Sequence, residues 1–257
     1  MIGYLTAFIL TCSMIMNLGE DPINYIEISI ELIDRLEKKE AVTDLVEILA
    51  ASSEEAIYKQ IKTDKQKYAF WVNIYNAYIQ IILTEDPDLY EDRNKFFKKS
   101  LIEIAGRTYS FAEIEHGILR RSQMGLFLGY VTNPFPPRHE KRLRVEERDF
   151  RIHFVLNCGA KSCPPVAAYT PEDVDKAFDY MTQQYLENTT VYNEQEDSYK
   201  VTALFSWFRG DFDGSAGIRD ILQNFEVTSS RPDQLTTLPY DWTLDLYNYK
   251  EIPLDQL

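Results

Sequence analysis

Between Lys67 and Thr84 the chain reads KYAFWVNIYNAYIQIILT. Wound at about 100° per residue, Phe70, Trp71, Ile74, Tyr78, Ile79 and Ile82 leave almost no polar side, and a helix that is apolar all round must be covered on every side. The stretch therefore demands a fold with one helix running through its middle. Across this rod runs a single polar line, Asn73, Asn76 and Gln80, spaced three and four apart. A buried amide without partners costs on the order of 1–3 kcal/mol. The line must therefore meet either the backbone of a neighbouring loop or a catalytic group or ligand that it orients.

Elements of both kinds surround the rod. Apolar residues at helical spacing from Asn24 to Ala56 predict two or three amphipathic helices. Ser110 followed by Glu113 has the spacing of a capping box and predicts a helix from about Phe111 to Arg121, with Glu113, His116 and Arg120 on one face. Three prolines between Gly129 and Arg142 predict an irregular loop. The run RIHFVLNCG (151–159) alternates as a strand does, sending Ile152, Phe154, Leu156 and Cys158 to one side and His153, Val155 and Asn157 to the other. Thr170, Pro171 and the acids after them start another helix. TTVYN and SYKVTAL around EQED form a hairpin, GSAGIRDILQNF is a short helix capped by Ser215, and PYDWTLDLYNY alternates as a half-exposed strand. The class is α+β, with helices mainly in the N-terminal half around a mixed or antiparallel sheet. The expected division is a signal sequence or N-terminal helix at 1–19, a helical segment at 20–66 and one main domain at 67–257.

A formal net charge of −14 repels phosphate backbones, and the most basic stretch, Arg138 to Arg148, is interleaved with glutamates, so nucleic acid is not an expected partner. Ile2 to Leu18 carries no charge. If it is a signal or anchor, the protein is exported or held at the cell envelope, and this segment is its one membrane contact; if it packs as a helix, the protein is cytoplasmic. No GxGxxG or Walker pattern is present, and DFDGS (211–215) lacks the later glutamate of a calcium loop. His153, Cys158 and Cys163 would converge on zinc only if the chain bent sharply at Gly159. No metal and no cofactor are expected.

Cysteine chemistry remains. A thiolate nucleophile needs nearby positive charge or an imidazole, and the imidazole needs a polar group to orient it. Cys158 ends the predicted strand on its apolar side, as a small core residue or as a nucleophile, while Cys163, between Ser162 and Pro164, is the more exposed. His116 and its neighbour Glu115 supply base and orienter, and the amides of Asn73 and Asn76 supply an orienting or oxyanion group.

Six stretches in order, FWVNIYNAY (70–78), IEHGILR (114–120), RIHFVLNCGAKSCPP (151–165), YTPEDV (169–174), WFRGDF (207–212) and LPYDWTL (238–244), resemble the family named for domain of unknown function 547. The resemblance implies a fold similar to papain-like or transglutaminase-like enzymes, and small thiol or peptide ligands. It places Asn73, Asn76, Glu115, His116, His153, Cys158, Arg209, Asp241 and Trp242 on family motifs. Two readings follow. One is a cysteine-dependent hydrolase or acyltransferase acting on a peptide-like or amide substrate, with Cys158 as nucleophile, His116 as base and Glu115 or Asn73 orienting it. The other is a non-catalytic binding module for a small thiol compound or peptide, held by Asn73, Asn76, His153 and Arg209, with Cys163 forming a reversible mixed disulfide. A third, plainer reading is an envelope interaction protein whose motifs only hold the fold.

Overall fold

A computed structural model of the protein describes residues 23–256. The expected signal sequence or helix at 1–19 lies outside them. Three helices lead in, α1 (Tyr25–Glu37), α2 (Thr43–Ala51) and α3 (Glu54–Gln60). The apolar rod is α4 (Asp64–Glu85), opened by a capping box in which Thr63 and Gln66 satisfy each other's backbone N–H groups. Fifteen of its 22 residues are buried. That is the full covering its sequence demands, and α1, a turn at Glu113–Leu119 and α7 (Val174–Thr189) provide it. The expected division between residues 66 and 67 falls inside α4. Among the described residues no helix is long and apolar enough to cross a membrane.

The amide line meets backbone. Asn73 donates to Tyr169 O (2.9 Å) and accepts from Tyr169 N (3.0 Å). Asn76 donates to Val155 O (2.9 Å) and accepts from Asn157 N (2.7 Å), and Gln80 accepts from Tyr247 N (2.9 Å). Each amide thus replaces a missing strand neighbour, and three loop segments hang on one helix.

The remaining elements are α5 (Arg93–Lys98), the hairpin β1 (Ile102–Ile104) and β2 (Arg107–Tyr109), α6 (Arg138–Leu143), β3 (Val191–Asn193), β4 (Ser198–Val201), α8 (Leu204–Trp207), α9 (Gly214–Asn224) and β5 (Leu235–Thr237). β3 and β4 pair antiparallel, as expected of the hairpin, and β5 joins β4 in parallel. The class is α+β.

Five expectations fail locally. Residues 151–159 are no strand: Phe150–Phe154 forms a 3-10 turn started by the Asp149 side chain, and the following backbone bonds to α4 amides instead of a neighbouring strand. The side-to-side parity drawn from it falls too. Residues 239–249 make only isolated bridges, Ala160 with Leu244 and Val166 with Tyr249. The helix after Pro171 starts at Val174, because Thr170 Oγ1 accepts from Asp173 N (3.2 Å) and closes a turn first. Ser215 does not cap α9; Asp213, in the left-handed region at φ 54°, precedes it without a side-chain bond. The proline loop also holds the short helix α6.

Candidate functional site

The Ser110–Glu113 capping box forms with both reciprocal bonds, Ser110 N to Glu113 Oε2 (2.8 Å) and Glu113 N to Ser110 Oγ (3.1 Å). Beyond it the helix widens into a π turn over Glu113–Leu119, where Arg120 N reaches Glu115 O and Ser122 N reaches Gly117 O, both at 2.8 Å. Such wide turns are rare and often mark functional sites. A side chain at Gly117 would begin 2.7 Å from Glu140 Oε2, so glycine there lets the Glu140 carboxylate of α6 lie against the turn.

From this turn Arg120 points inward, 1% exposed. Its Nε donates to Asp211 Oδ2 (2.6 Å), its Nη1 to His116 Nδ1 (2.8 Å), and its guanidinium lies over the Phe208 ring. Asp211 is held by Gly210, whose backbone touches that of Gly129 and Tyr130 too closely for any side chain. Its carboxylate also receives His153 Nε2 (2.8 Å) and Arg148 Nη1 (3.1 Å). Burial works against the charge, yet the bonds from His153 and Arg120 hold this carboxyl at about 2. Burial pushes His153 below its ordinary value despite Asp211. It pushes His116 down as well, helped by Arg120 and opposed by Glu115 and Asp211.

A guanidinium only donates. His116 Nδ1 must therefore accept from Arg120, which puts the proton on Nε2 by inference from the network. Nε2 faces Gly125, where a side chain would start only 3.0 Å away. His116 thus presents a donor to the cavity, and not the base expected from sequence. Glu115 Oε1, 3.3 Å from Nδ1, has no hydrogen-bond partner among the described residues.

Cys158 and Cys163 are joined in a disulfide. Gly159 makes the loop between them feasible by taking φ 82°, which suits glycine. Asn157 frames the loop by accepting from Gly159 N (3.0 Å) and donating to Pro164 O (2.7 Å). The opposite wall is the 239–245 segment: Lys161 N bonds to Thr243 O, and Asp245 N to Gly159 O, both at 2.8 Å. From that wall the Tyr240 hydroxyl lies 3.4 Å from Cys158 Sγ and 3.2 Å from Cys163 Sγ. Burial pushes the Tyr240 phenol well above its ordinary value, so it stays protonated and can donate. Cys158 N also donates to Cys163 Sγ (3.0 Å).

These parts meet at a cavity of about 860 Å³ walled by Cys158, His116, Glu115, Tyr240, Trp207 and Trp242. That volume suits a small ligand. Trp207 stacks on Trp242 and Tyr240 tilts against both, with ring centroids 4.7–5.5 Å apart, and the three make one wall aromatic. His153 reaches the same cavity from behind Phe208, its ring stacked at 4.1 Å. Four expected site residues thus converge: Cys158, His116, Glu115 and His153. Four others do not. Asn73 and Asn76 are fully buried and their amides are taken up by backbone. Cys163, expected to be the more exposed cysteine, is only 5% exposed; it borders a second recess of about 640 Å³ on the far side of its loop. Arg209 is exposed, away from the cavity, with no side-chain partner among the described residues. No imidazole nitrogen hydrogen-bonds to either sulfur among the described residues. Nor does a cluster of three His, Cys, Asp or Glu stand ready for a metal there.

Sequence reasoning missed Asp211, Tyr240 and Trp207. Asp211 lies in the WFRGDF motif, and locally it reads only as part of DFDGS, which fails as a calcium loop. Its role depends on Arg120, 91 positions away, and no local pattern carries that.

Acid should loosen this site before it touches the carboxylates. All three histidines titrate below their ordinary value of 6.5, so the unfolded chain binds protons first and stability falls as pH drops below about 6.5. The two buried histidines, His116 and His153, each add a slope of up to about 1.4 kcal/mol per pH unit until the folded value is reached, whereas His139, more exposed and outside the cavity, adds only a fraction of that. The expected result is a melting temperature that is flat from pH 8 to 7 and falls steadily toward pH 5 (the range follows the ordinary histidine value); a flat profile down to pH 4.5 would contradict it. The Asp211 contribution is lost only later, as pH falls through its ordinary 3.8 toward 2.

No curated protein and no solved structure matches the chain, so no fold likeness supports the papain-like or transglutaminase-like kinship. A family model does match, over residues 58–186, half of the chain, and this stretch holds the π turn, the amide line and the disulfide loop. The chain therefore belongs to the family described as "Protein of unknown function, DUF547".

Proposed function

We propose that the cavity captures a small thiol, or a peptide carrying one, by exchange with the Cys158–Cys163 disulfide. The observation that carries this reading is the unequal setting of the two sulfurs. Cys158 lines the cavity, while the nearly buried Cys163 sulfur is faced by two donors, Cys158 N–H and the Tyr240 hydroxyl. The ligand thiolate attacks Cys158 Sγ, a new sulfur–sulfur bond forms, the Cys158–Cys163 bond breaks, and its electron pair goes to Cys163 Sγ. Donors aimed at the leaving sulfur stabilise it as a thiolate. Return attack by that thiolate on Cys158 releases the ligand, so capture is reversible and consumes no oxidant. The mixed disulfide therefore belongs to Cys158, and not to Cys163 as read from the sequence.

Hydrolysis or acyl transfer is the weaker reading. It needs Cys158 as a free thiolate beside a base, and neither the disulfide nor a protonated His116 Nε2 supports that.

The test is mass spectrometry with glutathione and cysteamine as probes, quenched in acid and mapped by digestion so that Cys12 is scored separately. Cys163→Ser, treated with glutathione disulfide, accumulates an adduct at Cys158, whereas Cys158→Ser leaves Cys163 largely unmodified. Tyr240→Phe, which removes one hydrogen bond to the leaving thiolate worth about 1.5–3 kcal/mol, slows capture by wild-type cysteines roughly ten-fold or more. Equal labelling of both cysteines, or exchange as fast after Tyr240→Phe, defeats the proposal.

A further inference from the structure

Of the 13 large hydrophobic side chains exposed among the described residues, seven fall between Met124 and Phe135. Phe135 is 86% exposed and Leu126 71%, values reached by no other large apolar residue there. Scattered exposed hydrophobics need no explanation; a cluster of this kind marks an interaction surface. The segment is a closed loop. Met124 N bonds to Val131 O, Asn133 N to Ser122 O, and Gln123 bridges Thr132, so the loop is pinned at its base, and its tip lies against the Gly210 turn with apolar side chains left exposed. Phe127 and Leu128 both sit in the left-handed region, at φ 71° and 53°, which bulky residues avoid. Gly210 N holds the tip there by bonding to Leu128 O (2.7 Å). The fold thus keeps apolar side chains outward at a conformational cost.

Charge identifies the occupant. From Arg121 to Arg144 the chain carries five cations, Arg121, Arg138, Lys141, Arg142 and Arg144, against Glu140, in a protein of net charge −14; Arg142 is paired with Glu54 and Glu55, and Glu146 and Glu147 follow directly after. Arg144 bonds to Ser122 Oγ (2.8 Å) and so stands at the base of the loop, and Arg138 and Lys141 are exposed with no ion-pair partner among the described residues. An exposed apolar loop followed directly in the chain by unpaired cations, here Arg138 and Lys141, is the pattern of a segment that inserts shallowly into a lipid surface with anionic headgroups. The acidic remainder of the surface is repelled by the same headgroups, and the two effects together orient the molecule with this loop down.

We infer that residues 124–135 dock the protein on an anionic lipid bilayer. Met124 and Leu126 also edge the cavity, so docking sets its mouth at the membrane interface. The inference is independent of the thiol reading, because it uses neither cysteine.

The experiment uses the full chain and hydrogen exchange with and without vesicles, so that binding through residues 2–18 is not mistaken for docking by the loop. Vesicles of phosphatidylcholine with phosphatidylserine protect the amides of 124–135, phosphatidylcholine alone protects them far less, and high salt weakens the effect. Leu126→Ser combined with Phe135→Ser, both exposed changes, removes the protection and leaves the melting temperature unchanged, while Tyr192→Ser, an exposed apolar control elsewhere, keeps it. Arg138→Glu with Lys141→Glu removes the preference for anionic vesicles. Absence of protection at 124–135 overturns the inference. So does protection that appears without vesicles as protein concentration rises, which would make the loop a contact between copies.

Discussion

Asp211→Ala should cost the protein about 3–5 kcal/mol, the loss expected when one partner of a buried ion pair is removed and the other stays charged. Arg120, 1% exposed, would lose its Nε partner, and His153 would lose its only side-chain hydrogen bond among the described residues. Against a typical total stability of about 5–15 kcal/mol, that is enough to bring a marginal domain close to unfolding. Asp211→Asn should lose nearly as much, since the amide keeps the shape but leaves the guanidinium uncompensated. The double change Arg120→Met with Asp211→Leu should recover most of the loss, because an apolar pair of similar size leaves no charge buried. Urea denaturation of the three variants decides the matter. A loss below about 1 kcal/mol for Asp211→Ala would mean that Arg120 finds water or another partner, and that the pair does not hold the site together.

The elements legible in the sequence are those whose signal is local. The apolar circumference of α4, the capping box at Ser110 and Glu113, and the hairpin around EQED each rest on residues within one or two turns of one another, and each forms. The run 151–159 misled because alternation reads as a strand with one buried side, whereas Ile152 to Asn157 are all buried, packed without any strand alongside. Alternation also misled at 239–249, whose aromatics Tyr240 and Trp242 wall a cavity. The cavity itself was half legible. His116, Glu115 and Cys158 were recognised as chemistry-bearing types, but their roles turned on partners far along the chain: Arg120 fixes the tautomer of His116 because Asp211 holds Arg120, and Tyr240, 82 positions from Cys158, reaches both sulfurs. Residue type and spacing cannot carry a contact of that range.

Asn76→Leu should destabilise the protein by about 2–6 kcal/mol, since it strands two buried backbone groups, Val155 C=O and Asn157 N–H, each worth about 1–3 kcal/mol when left unpaired. Asn73→Leu should cost a similar amount, because it strands both backbone polar groups of Tyr169 in the same way. The two differ in what they hold. Asn76 fixes Asn157, whose side chain frames the disulfide loop through Gly159 N and Pro164 O, whereas Asn73 fixes the chain at the entrance to α7. Under conditions where both variants remain folded, thiol exchange at Cys158 should therefore slow in Asn76→Leu and stay near the wild-type rate in Asn73→Leu. Equilibrium denaturation supplies the first comparison and timed mass spectrometry the second. Equal exchange rates in the two variants would show that the amide line only holds the fold, and that the alignment of the two sulfurs with Tyr240 is set by the disulfide loop and the 239–245 wall alone.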